Sequence, residues 1–330
     1  MTPVSQNAAP AGYIEIDEQE RALSVLTSPQ FDVVDYAGRY QQLGKALKVD
    51  FSNILRTIAV VPACVSAANH APIRKTIAEL ITSRQSRIRN LAPLIARECI
   101  LQLSEPGEHD LVATVLAPYV RKTLCILSGL EMSDSAVEYH LLSGLFSQSA
   151  GIARRRRLDA LLGEIWRWLD TVYSDETEQW RGARLALIIL GTDATLGTLA
   201  ASLHAAIPAT PTRFDALQFA GAPTHTGVPY VDRFGPDTTS LQGSAAGSSS
   251  GTVRVNLAAF EAGQSGSAPH RMFGAGPHTC LGRAIATNLW RELTFEIAQL
   301  TGTIELIELE WARNDVFRVP SVFRVRVSHA

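Results

Sequence analysis

Apolar residues recur at three- and four-residue spacing over residues 18–26, 73–88, 91–103, 110–127 and 158–173, the period of one helix face. Residues 184–207 are apolar almost all round and predict a long helix. Helix stops stand at Ser128-Gly129 and across residues 104–107. From Pro208 the texture changes: Pro, Gly, Thr and Ser become frequent, and residues 239–251 are nearly low-complexity. β-like runs at residues 229–231 and 252–257 flank that stretch and predict small hairpins in a loop-rich zone. A helix returns at residues 281–300, and strand-like alternation follows over 303–309 and 322–327. With no internal repeat and no clean linker, the pattern predicts one mainly α domain with minor β over residues 1–330, its first 17 residues flexible.

Composition narrows the function classes. The 330 residues, 46% of them hydrophobic, suffice for a large core in one domain or two. Thirty basic against 32 acidic residues give a net charge of -2, which speaks against a general nucleic-acid binder. No apolar run approaches the roughly 18 residues of a membrane span, and residues 1–12 lack the regions of a signal peptide. Cys64, Cys99, Cys125 and Cys280 lie far apart. A zinc site or disulfide scaffold is therefore not expected, and the expected location is the cytoplasm.

Residues 271–286 (RMFGAGPHTCLGRAIA) carry the most information. Cys280 stands at the start of the last helix, where free N–H groups and positive potential stabilise a thiolate. Gly274 and Gly276 permit a tight approach, Gly282 leaves room for a flat ligand, and Phe273 is placed to shield the sulfur. Alone, Cys280 reads as a small buried cysteine in a strand-loop-helix turn.

The whole pattern, Phe273-x-x-Gly276-x-x-x-Cys280-x-Gly282, resembles the heme-thiolate signature of the cytochrome P450 family. The resemblance implies a reduced version of that mainly α fold, heme b as cofactor and Cys280 as the iron ligand. His278 fits a place where the family often puts a heme-propionate partner; alone it reads as a surface loop histidine. Residues 184–207 resemble the family's central helix, with Gly191, Asp193, Ala194 and Thr195 lining the distal side. Without the resemblance, this is a core helix with Asp193 at its edge and glycines for close packing. His70-x-x-x-Arg74 resembles the start of the family's propionate-binding helix, where arginine suits bidentate pairing with a carboxylate. Arg233 lies where the family places another such arginine, a few residues late; alone it is an exposed hairpin residue. Arg154 to Arg157 read as a solvated helix face, with a docking patch for an acidic partner as the lesser reading.

Four departures set this chain apart from the family pattern. The acid of the central helix is usually followed directly by an alcohol; here Asp193 precedes Ala194, and Thr195 is a further 100 degrees round the helix. Water held by Asp193, or a substrate hydroxyl, must then help deliver protons. The family's Glu-x-x-Arg pair is missing; its nearest candidate, Asp215 and Gln218, can share only a hydrogen bond. Residues 260–270 are too short for the usual meander that helps receive a redox partner. The N-terminal strands and first helix, and parts of residues 130–191, look trimmed, which implies a smaller or more open pocket.

The expected function is oxidation of a small organic substrate in bacterial specialised metabolism. It runs with a ferredoxin-type partner, with peroxide, or as a rearrangement or dehydration without external electrons. The rival is a non-catalytic auxiliary protein supporting a partner enzyme; a heme-based sensor is weaker still. No nucleic-acid or membrane partner is expected.

Overall fold

A computed structural model of the chain describes residues 13–130, 139–235, 251–262 and 269–329. The low-complexity stretch, most of the N-terminus expected to be flexible and the centre of the shortened meander lie outside the described residues. The helices are α1 (Gln19–Thr27), α2 (Tyr36–Leu47), α3 (Ser52–Ile58), α4 (Ala67–Ile100), α5 (Ala117–Ser128), α6 (Tyr139–Leu142), α7 (Ile152–Val172), α8 (Glu178–Ala206) and α9 (Arg283–Ala298). The strands are β1 (Tyr13–Ile16), β2 (Asp32–Val33), β3 (Gly107–Asp110), β4 (Thr212–Arg213), β5 (Tyr230–Gly235), β6 (Gly251–Asn256), β7 (Thr303–Trp311) and β8 (Pro320–Ser328).

The fold is mainly α with minor β, as the hydrophobic periods predict. The two expected segments at 73–88 and 91–103 form one helix, α4, which runs through Pro72 and Pro93. Segment 110–127 starts with a π turn over Val112–Leu116 before α5, and α5 stops at Gly129, which takes φ 74°. β5 and β6 pair antiparallel across the low-complexity stretch. They form the middle of a sheet ordered β1-β6-β5-β2, in which β1 runs parallel to β6. The second sheet, β3-β8-β7-β4, is built on the long β7–β8 hairpin.

Two cores position the site. The larger packs α4, α5, α7, α8 and α9, with Trp166, Trp290 and Tyr119 fully buried. The smaller joins α1, one face of β5 and β6, and the loop before α9, through Val25, Leu26, Val253, Val255 and Met272. α8 has an 18-residue window of mean hydropathy 1.6, long and apolar enough by composition for a span, which corrects the expectation that no apolar run approaches that length. Most of that window is buried inside the protein, so it packs as the central core helix. Gly197 fits this role: a Cβ there would collide with Gly227 and the Arg318 carbonyl.

Two expectations change in the described fold. Arg155 is not on a solvated face: it is buried, gives N–H groups to the Ala150, Ser147 and Gln148 carbonyls, and reaches the Tyr40 hydroxyl at 2.8 Å. Residues 214–216 form a single turn of 3-10 helix. Asp215 there pairs with Arg213 at 2.6 Å, while Gln218 donates to the Ala216 carbonyl. Asp215 and Gln218 therefore share no bond, because each has a nearer partner.

Candidate functional site

The two cores meet at an internal cavity of about 330 Å³. Its floor is the loop before α9. Gly274 and Gly276 take φ 81° and 68°, conformations favourable only to glycine. A Cβ on Gly276 would come within 2.5 Å of the Leu26 carbonyl, so this glycine lets the loop lie against α1. The turn closes with the Cys280 N–H donating to the Phe273 carbonyl at 2.9 Å. Phe273, Gly274, His278, Cys280 and Gly282 all face the cavity; Gly276 does not, its role being the turn.

Cys280 lies deep beneath the protein surface, but its side chain is open because it borders the cavity. Burial raises the thiol's pKa; the N–H groups of Gly282 and Arg283 and the charge of Arg74 oppose that rise by favouring a thiolate. Beside it stands a cluster drawn from three distant segments. His70 and Arg74 come from the first turns of α4, Arg233 from β5 and His278 from the loop, and all four line the cavity. The His70 and His278 rings lie 4.0 Å apart. Arg74 donates to the Thr279 carbonyl, and Arg233 donates to the Asp232 carbonyl at 2.9 Å.

These four groups are poorly satisfied. The Nε2 of His70 is sealed from solvent without a hydrogen-bond partner among the described residues. Burial, then Arg74 and Arg233, hold the His70 pKa below its usual value. Burial, Arg233 and His70 push that of His278 down to about 4. Burial also lowers the pKa of both arginines. Arg233 is buried rather than exposed in a hairpin. An anionic guest would relieve every one of these costs.

α8 forms the opposite wall. Leu187, Leu190, Gly191, Ala194, Thr195 and Thr198 line the cavity, a three- and four-residue spacing that selects one helix face. Asp193 falls off that face: it is buried, already engaged in an interaction, and absent from the cavity wall. The expectation that it lines the distal side is therefore corrected by the helix period. Thr192 and Thr198 bond back to the carbonyls of Ile188 and Ala194; Thr195 borders the cavity without such a bond.

Sequence reading looks for specificity in the poorly patterned segments 36–64 and 133–153 but names none of the residues of the third wall. Tyr36, Phe146, Gln148, Tyr230, Asp232, Arg254, Asp315 and Phe317 all border the cavity. Asp232 and Arg254 sit directly opposite in the β5–β6 register and pair at 2.9 and 3.1 Å. Alternation along β5 was the available signal, since it sends Asp232 and Arg233 to opposite faces.

No family model matches the sequence, and no curated protein matches it. The fold matches solved cytochrome P450 structures. P450BioI, in complex with an acyl carrier protein ligated to hexadec-9Z-enoic acid, superimposes with TM-score 0.79 at 12% identity, over 98% of this chain and 94% of that one. P450 RauA, complexed with a biosynthetic intermediate of aurachin RE, gives 0.72 at 16% identity over 96% and 92%. A thermophilic cytochrome P450 from Sulfolobus tokodaii gives 0.67 at 17% identity over 99% and 98%. The chain thus has the cytochrome P450 fold.

Proposed function

We propose that the chain is a heme-thiolate oxidoreductase, of monooxygenase or peroxygenase type, acting on a small organic molecule as a single domain. The observation that carries this reading is the meeting of Cys280 with His70, Arg74, Arg233 and His278 on one cavity floor. A thiol receiving two N–H groups suits an iron ligand, and the guanidinium groups of Arg74 and Arg233 on the cavity wall suit carboxylates. The residues present fit heme b: Cys280 would ligate its iron, and His70, Arg74, Arg233 and His278 would hold its carboxylates. When bound, a thiolate-ligated heme supplies oxidative chemistry at its iron, the thiolate favouring O–O cleavage.

The chain's own contribution on the substrate side is unusual. Ala194 presents no hydroxyl, and Asp193 stands off the wall, so no carboxylate on α8 is positioned to hand a proton into the cavity. Thr195 is the remaining free hydroxyl on that face. This supports peroxide-driven oxidation, or a rearrangement without external electrons, over turnover with a ferredoxin-type partner. The biosynthetic intermediate bound to P450 RauA supports a place in specialised metabolism.

The test is spectroscopic first. Purified protein expressed with ample heme should give the red-shifted Soret band of a ferrous carbon monoxide complex, and Cys280→Ser should abolish it. Protein that takes up no heme points instead to a non-catalytic auxiliary role. Turnover with ferredoxin, reductase and NAD(P)H that outpaces peroxide would sink the atypical chemistry while leaving the heme assignment intact.

A further inference from the structure

Nearly every polar group on the cavity wall away from Cys280 is already occupied within the protein. Asp232, Arg254 and Gln148 bond one another. Asp315 takes the N–H groups of Gln148 and Ser149 at 2.8 and 2.9 Å. Thr226 bonds the Val228 carbonyl, Thr198 that of Ala194, and Tyr230 has Glu15 as its partner. The phenol of Tyr36 is different. It lines the cavity, makes no hydrogen bond among the described residues, and is not one of the two sealed orphan atoms. Its hydroxyl is thus neither bonded nor closed off; it opens on the cavity.

The position of Tyr36 is fixed. It is the first residue of α2, whose N-cap Asp35 accepts the Gly38 N–H at 2.8 Å. Its ring meets Phe146 edge-on at 5.9 Å, and Phe146 meets Phe317 at 6.2 Å. Three segments distant in sequence so form one aromatic wall. Burial drives the phenol's pKa far above its usual value, against the weaker pull of Arg233. Burial thus favours the neutral phenol, a donor without an acceptor among the described residues. Around it the wall is aliphatic, through Leu124, Leu127, Leu187, Leu190 and Val316.

We propose that Tyr36 is a specificity-determining residue, and that the substrate is a largely apolar molecule carrying one carbonyl oxygen that accepts the Tyr36 hydrogen bond. This inference rests on the heme-thiolate reading and names the substrate class of the same cavity. A guest without an acceptor beside Tyr36 is disfavoured, because this buried donor is then left unpaired.

The experiment compares Tyr36→Phe with the parent in heme-loaded protein. The probes are cyclooctanone with methylenecyclooctane, and 4-tert-butylcyclohexanone with its methylene analogue, titrated by calorimetry and by the Soret shift. Heme content is measured before any ligand is added. The expected result is a loss of roughly three- to tenfold in ketone affinity, with the methylene compounds unchanged and heme content unchanged. Failure to take up heme overturns the function and this inference together. With heme bound, three results overturn the inference alone: neither ketone binding, both members of a pair losing equally, or a Tyr36→Phe protein that loses heme at an unaltered ketone ratio. In the last case the oxygen acceptor is a heme carboxylate instead.

Discussion

Asp232 and Arg233 are neighbours on β5, yet they belong to opposite kinds of environment. Asp232 faces the wall shared with β6 and residues 143–150. Both its oxygens are taken, by two nitrogens of Arg254 and by the Gln148 amide at 3.0 Å. Arg233 faces the floor with His70 and His278, buried and, among the described residues, bonded only to a neighbouring carbonyl. A network closed on itself holds structure; a cluster of basic side chains with unmet bonds marks where something else must bind. The contrast separates scaffold from site without reference to any relative.

The largest effect belongs to the closed side. Asp232→Ala leaves Arg254 buried and unpaired, which costs about 3–5 kcal/mol, read as a fall in the denaturant midpoint. A loss below about 1 kcal/mol would show that the Tyr13 and Tyr230 rings, each about 5.5 Å or less from the Arg254 guanidinium, carry that charge unaided. Gln148→Ala comes next. Its amide ties Asp232 to Tyr13, while its backbone reaches Asp315, Arg39 and Arg155. The backbone bonds survive the substitution, so the loss is about 1–3 kcal/mol, with faster ligand exchange through the loosened wall.

The legibility of this molecule in its sequence followed the same division. Cys280, His70 and Arg74 were readable because turn chemistry and helix spacing act over a few residues. The assembly of the cavity floor was also implied, since a known signature fixes which loop meets which helix. The closed wall was not. Asp232–Arg254 depends on a hairpin register across residues 236–250, and Gln148 joins five segments that no local period connects. Asp193 misled for a related reason: an acid in an apolar helix announces a partner, but only the three- and four-residue face running from Leu187 to Thr198 says which way it points. α2 was missed because Tyr40 alone is buried on it, and α3 because its seven residues are too few to establish a helical period.

The open side yields smaller effects of opposite sign. Arg233→Met removes a desolvated cation from heme-free protein, so stability stays within about 1 kcal/mol or rises, while heme retention falls. A loss as large as that of Asp232→Ala would place Arg233 in the scaffold and dissolve the contrast. The smallest effect is a pH dependence. His70 has its pKa lowered by burial, Arg74 and Arg233, with Asp32 opposing. Between the lowered folded value and the ordinary value of about 6.5, the unfolded chain binds more protons than the folded one. Stability of the heme-free protein therefore falls as pH drops below about 6.5 and recovers above it. His70→Phe should flatten the part of that slope due to His70 in a denaturant series from pH 7 to pH 5. A bound carboxylate should flatten it too, because an anion beside the ring restores its affinity for a proton. If heme loading leaves the slope of the parent protein as steep as before, no carboxylate reaches His70, and the floor must be satisfied by another anion.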